Sequence, residues 1–165
     1  MVMVSTRGRY ALRIMVDLAQ HNTGEYITLM DIANRQGISE KYLESIISSL
    51  SRSGFLLTLR GRGGGYKLAR DPKEYTVGSI LKQAENSFAP VACLEAGAQP
   101  CTRADGCLTL PLWTGLQKTV DGYLESVTLA DLIVQEKNAA SEECLLFGRA
   151  LGVRAPCEKG APKFL

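Results

Sequence analysis

The sequence predicts a mainly α fold of the α+β type: a winged helix-turn-helix with a long C-terminal dimerisation helix. Three observations predict it. Two apolar-periodic segments meet at a turn centred on Gly37, and a basic, glycine-rich hairpin loop follows them at residues 61–65. A further apolar stripe then runs from Leu112 to Val127.

The first helix is expected from Thr6 to His21, where Tyr10, Ala11, Ile14, Met15 and Leu18 recur at three- and four-residue spacing. The segment His-Asn-Thr-Gly at 21–24 ends it with turn residues. Thr28 and Asp31 then resemble a capping box, in which each side chain satisfies an orphan N–H of the other's turn. Leu29, Ile32 and Ala33 supply the buried face of a short helix, and Gly37 suits a left-handed stop. Ser39 is placed to cap the next helix, which buries Leu43, Ile46, Ile47 and Leu50. Its other faces show Glu40, Lys41, Glu44, Ser45, Ser48, Ser49 and Arg52.

Strands are expected over Phe55–Leu59 and Tyr66–Ala69, joined by Gly61-Arg-Gly-Gly-Gly65. Such a hairpin directly after a helix-turn-helix reads as a wing, with Arg60 and Arg62 as its charge. The glycine run lacks the strand-loop-helix context and the GK[ST] ending of a nucleotide cradle. Thr76 is expected to cap a helix over Val77–Asn86, with Val77, Ile80, Leu81 and Ala84 inward. The long helix follows Pro111, a suitable first-turn residue. Leu112, Leu116, Val120, Tyr123, Leu124 and Val127 give it more apolar surface than a small module can cover, so pairing with a second copy is the economical solution. Thr128 restarts a short helix through Ile133. The organisation is therefore a DNA-binding module at 1–87, a cysteine loop at 88–110, a dimerisation helix at 111–134 and a loosely ordered tail at 135–165.

At 165 residues and 45% hydrophobic content, the chain suits one domain with an appended element. It has no apolar run of about eighteen residues, so no membrane span is expected. The start, MVMVSTRGRY, lacks the apolar centre of a secretory signal. A cytoplasmic protein with reduced thiols is expected, and five cysteines, an odd count, do not close a disulfide framework. Residues 1–82 carry twelve Lys and Arg against seven Asp and Glu, whereas 83–165 carry seven against ten. That asymmetry fits a nucleic-acid-facing front half, though it also fits ordinary solvated surface. One histidine, no nucleophile–base pair and no paired carboxylates in a motif speak against an enzyme.

Cys93, Cys101 and Cys107 fall within fifteen residues, in a loop with no packing pattern. Thiols so placed in a cytosolic chain usually hold a metal or an iron–sulfur cluster rather than each other. A metal-sensing loop joined to a DNA reader points to a transcription regulator.

These pieces, taken together, resemble the iron–sulfur cluster regulator family of bacterial winged-helix repressors (IscR, NsrR and RirA types, the Rrf-two superfamily). The resemblance covers about residues 3–134 and is carried by STRGRYALR, DIANRQGISEKYLE, LRGRGGGYKLA, YTVGSIL, the three cysteines and SVTLADL. It implies a homodimer on promoter DNA whose occupancy follows the state of a [2Fe–2S] or [4Fe–4S] cluster, and so responds to iron, redox or nitric oxide. It further implies that Cys93, Cys101 and Cys107 are ligands, that Ser39, Lys41, Tyr42 and Glu44 sit at the reading end of the second motif helix, and that Arg60 reaches the minor groove. Arg62 in the wing adds charge, and Arg7 and Arg9 are looser candidates for phosphate contact. The fourth ligand departs from the family's patterns. Leu110 stands where some relatives have a histidine, and Arg9 where another branch has an aspartate. Glu85, Glu95, Asp105, a small external thiol, and Cys144 or Cys157 from the tail remain as donors. A second reading, a cluster-less regulator of sulfur metabolism controlled by a partner enzyme, stays open beside the first.

Overall fold

The computed structural model of the protein describes residues 4–85, 88–95, 97–99 and 101–139. Helix α1 (Thr6–Gln20) begins where Ser5, in extended backbone, accepts the Gly8 N–H at 3.1 Å. Its inward stripe of Ala11, Ile14, Met15 and Leu18 is fully buried, which is the spacing of the sequence made physical.

Helix α2 (Leu29–Gln36) starts at Thr28, whose hydroxyl accepts the Asp31 N–H at 3.1 Å and donates to the Asp31 carboxylate at 2.7 Å. The carboxylate therefore meets a hydroxyl rather than the backbone N–H of the expected capping box. Gly37 ends α2 at φ +63°, a left-handed conformation that favours glycine. Helix α3 (Glu40–Arg52) follows and buries Leu43, Ile46, Ile47 and Leu50 against α1 and α2. Ser39 stands at its N-cap position, but its side chain makes no capping bond. Its carbonyl instead accepts from Tyr42 and Leu43 at 3.1 and 3.0 Å, so the first turn is closed by backbone alone.

Strands β1 (Leu56–Leu59) and β2 (Gly65–Leu68) pair antiparallel, with Leu56 opposite Leu68 and Leu59 opposite Gly65. Ile27 extends this ladder through Tyr66, exchanging backbone bonds of 2.8 and 3.0 Å. A Cβ on Gly65 would strike the Ile27 backbone, so this glycine serves the close approach of the Ile27 segment to β2. Gly61 and Gly63 take φ of +95° and +78° in the turn itself.

Helix α4 (Val77–Ala84) begins at Thr76, whose hydroxyl accepts the Ser79 N–H at 3.0 Å. The loop after it contains two short 3-10 turns, Ala92–Leu94 and Ala104–Gly106. Helix α5 (Leu110–Ser126) carries Pro111 in its first turn, and helix α6 (Leu129–Ala139) runs past the expected end at Ile133. A reciprocal capping box opens α6: Thr128 N–H donates to the Asp131 carboxylate at 2.9 Å, and Asp131 N–H to the Thr128 hydroxyl at 3.2 Å. Leu129 is fully buried in the main core beside the helix-turn-helix, and its N–H reaches the Tyr75 carbonyl at 2.8 Å. The chain thus returns to its own N-terminal module after α5.

Helix α5 behaves differently. None of its residues is buried, and Leu112, Leu116 and Tyr123 are 63%, 42% and 64% exposed. Its C-terminal end is held to α4 by Leu124 against Val77 and Leu81, and by Glu125, which accepts from Lys82 Nζ at 2.6 Å and from the Thr76 hydroxyl at 2.5 Å. The absence of a side chain on Gly78 leaves room for Glu125 and the Leu124 backbone. Among the described residues, no helix is long and apolar enough to cross a membrane. The tail from 140 to 165, with Cys144 and Cys157, lies outside the described residues, as does Asn86.

Candidate nucleic-acid interface and cysteine loop

Buried leucines and isoleucines hold one face of α3, which turns its polar positions to solvent. Ser39, Lys41, Glu44, Ser45 and Ser48 are exposed there. Tyr42 is half-buried, its ring packed edge-on against Tyr10 with centroids 5.8 Å apart. From α1, Arg7 Nη2 donates to the Ser45 carbonyl at 3.2 Å, which places a cation beside this face. Arg9 turns instead to the Thr6 hydroxyl at 3.4 Å.

A groove of about 660 Å³ separates α3 from the wing. Glu44, Ser48 and Arg52 line one wall at four-residue spacing, and Thr58, Arg60 and Gly61 line the other. The structure thus brings Glu44 and Arg60 together. Ser39, Lys41, Tyr42 and Arg62 lie outside the groove, the first three toward the N-terminal end of α3 and Arg62 on the exposed wing turn. Arg52, Ser48 and Thr58 were not among the expected site residues. Their signals were present: an i, i+4 stripe from Glu44 along α3, and the i, i+2 relation of Thr58 to Arg60. The arrangement presents hydrogen-bonding side chains and cations on a convex helix flanked by a basic hairpin, the form that enters a DNA major groove while a wing follows the backbone.

The cysteine loop leaves α4 beneath Phe88, which is 8% exposed and packs with Val77 and Leu81. All three thiols of the loop are free, Cys93 and Cys101 exposed and Cys107 half-buried. Cys107 lies at the mouth of α5, where the Thr109 hydroxyl lies 3.5 Å from its sulfur. That contact, with backbone N–H groups of Thr109 and Leu110, holds the Cys107 thiol below its ordinary pKa against the opposing effect of burial. Among the described residues, no three His, Cys, Asp or Glu side chains lie together as a metal site. Three free cysteines on one loop are the residue type that iron–sulfur iron takes, and among the described residues they do not come together as a three-donor group. Of the oxygen donors, Glu85 is engaged elsewhere, accepting the Ser5 N–H at 2.8 Å, while Glu95 and Asp105 are exposed on the loop. His21 sits at the far end of α1 with Nδ1 2.8 Å from the Asp17 carbonyl.

The family described as Rrf2, iron-dependent transcriptional regulator, matches residues 4–135. The HTH-type transcriptional regulator IscR of Serratia proteamaculans is 38% identical over 130 residues, covering 79% of this chain and 78% of that protein. Among solved structures, the IscR of T. potens superposes with a TM-score of 0.67 at 34% identity, covering 88% of this chain and 96% of that one. CymR, the global cysteine regulator of B. subtilis, superposes with a TM-score of 0.66 at 36% identity, covering 82% and 98%. These relatives are transcription regulators with the same winged-helix architecture. The chain belongs to the Rrf2 family of transcriptional regulators.

Proposed function

We infer that this chain is a dimeric, cytoplasmic repressor whose hold on promoter DNA answers to an iron–sulfur cluster bound through Cys93, Cys101 and Cys107. The observation that carries this reading is one of placement. Three free thiols occupy the loop between the DNA-facing module and α5, the helix with no buried residue. Thiolates are the usual ligands of iron–sulfur iron, and a site completed by a non-cysteine or external donor is labile, as a sensor needs. When bound, the cluster supplies chemistry that reacts with oxygen, nitric oxide or chelators.

The chain's own residues do the remaining work. Lys41 and the unspent Ser39 hydroxyl serve phosphates at the N-terminal end of α3, and Tyr42 adds a donor braced by Tyr10. Glu44 accepts from a cytosine amino group, while Arg60 and Arg62 follow the negative minor groove from the wing. Pairing of α5 with its copy covers Leu112, Leu116 and Tyr123 and sets the spacing of two half-sites. The test is an ultraviolet–visible spectrum of anaerobically purified protein. Visible charge-transfer bands lost in C93A/C101A/C107A support the reading; a colourless, iron-free protein after reconstitution rejects it.

A second reading is favoured by two observations: the open arrangement of the thiols, and the likeness to CymR, named as a cysteine regulator. Here the chain regulates sulfur metabolism without a cluster, under control of a partner enzyme. Co-purification of such an enzyme, with DNA affinity unchanged in the triple cysteine variant, would select it.

A further inference from the structure

We propose that Glu85 is a positioning residue for DNA binding: it ties the stem of the cysteine loop to the reading helix by way of α1. This rests on the reading of α3 as the DNA-facing helix, and on nothing bound in the loop.

Glu85 is the residue that ends α4, just before the loop begins. Its carboxylate crosses to α1 and accepts the Ser5 N–H at 2.8 Å. Ser5 is the N-cap of α1, at the end where the helix dipole is positive, so an anion there is favoured. Gly8, one turn on, is buried, and a Cβ at that position would run into the Glu85 carboxylate. The socket is therefore shaped on both sides. Phe88 adds a second anchor, buried in a cluster against which Val4 and Leu12 pack. Glu85 and Phe88, at the start of the loop, are thus both seated against the N-terminal part of α1.

The opposite side of that same half holds α3. Arg7 Nη2 donates to the Ser45 carbonyl at 3.2 Å, and Tyr10 packs edge-on against Tyr42. Ser45 and Tyr42 flank Glu44 on the reading face. A shift of the loop stem at Glu85 consequently moves the N-terminus of α1, and through Arg7 it moves the helix that meets the bases. Coupling of this kind needs a chain of packed and hydrogen-bonded groups, and each link here is a named contact.

The experiment uses the full chain and a duplex selected by it from a random pool, with affinity read by fluorescence anisotropy. Glu85→Ala and Gly8→Ala, which open the contact from its two sides, are each expected to lower affinity about five- to tenfold. Glu85→Gln keeps an oxygen acceptor for Ser5 and is expected to retain most of the affinity. In a cycle with Arg7→Ala, the Glu85→Ala/Arg7→Ala double variant is expected to fall no further than Arg7→Ala alone, since both act along one route. Losses that multiply, or a folded Glu85→Ala protein with unchanged affinity, overturn the proposal. If Glu85→Ala does not fold, the Gly8→Ala/Arg7→Ala cycle decides by the same criterion. Lys41→Ala combined with Glu44→Ala, both on α3, separates the two levels: unchanged binding there rejects the DNA-facing reading of α3 itself, whereas loss there with no effect at Glu85 rejects this inference alone.

Discussion

Asp17 is 1% exposed, yet Arg35 grips its carboxylate with both Nε and Nη2, at 2.9 and 2.7 Å. Gln36 adds a third donor at 2.9 Å, so one carboxylate on α1 fixes the end of α2 and the entry to the Gly37 turn. Burial pushes the Asp17 pKa up, but the hydrogen bonds from Arg35 and Gln36 and the Arg35 charge outweigh it, and the net direction is down. A lowered folded-state pKa stabilises the fold above the ordinary aspartate range, and that contribution is lost as pH falls through the lowered value. Asp17→Asn is expected to cost about 2–4 kcal/mol at neutral pH, because it leaves Arg35 without its counter-charge. In urea denaturation, the gap between the two proteins should close in acid below the ordinary aspartate range.

Arg60 and Arg52 face each other across the groove between wing and α3, and they are expected to differ in what they read. Arg60→Ala should cost about 1–3 kcal/mol on the selected duplex and relax preference where the wing meets it. Arg52→Ala should weaken all duplexes alike and lower the slope of log affinity against log salt by about one, as loss of a phosphate contact does. Anisotropy titrations at several salt concentrations separate the two.

Leu112 and Leu116 are exposed in the single chain, so charging them should not disturb its core. Leu112→Asp with Leu116→Asp is expected to halve the mass seen by light scattering while leaving helical circular dichroism intact. Operator affinity should then fall steeply, since two half-sites are no longer gripped together.

Gly65 lies where the Ile27 backbone crosses the wing. Gly65→Ala is expected to destabilise the chain by about 1–3 kcal/mol, the usual cost of overpacking. Chemical denaturation measures it, and DNA affinity should fall with the displaced wing.

Helices α1 and α3 were legible because each buries a stripe at helical spacing: Ala11, Ile14, Met15 and Leu18 on α1, and Leu43, Ile46, Ile47 and Leu50 on α3, are all buried. The wing was legible from its glycines, although Gly65 joins β2 rather than the loop. Pairings between distant polar residues were not legible. Nothing local marks Asp17 for Arg35 or Glu85 for Ser5, since charged residues on helices usually face solvent. Leu129 belongs to the main core because the chain doubles back after α5, a long-range fact that periodicity does not carry. Ser39 has the right residue type for a cap, yet backbone bonds close that turn without it. In the cysteine loop, spacing marked Cys93, Cys101 and Cys107 as candidates, but where their sulfurs lie depends on the fold of the loop, which spacing does not carry.

Native mass spectrometry of anaerobically purified protein is the most direct test of the sensor. Wild-type subunits should carry the added mass of iron and sulfide, and the C93A/C101A/C107A chain should carry none. A wild-type protein that remains at its polypeptide mass after anaerobic reconstitution with iron and sulfide would contradict it.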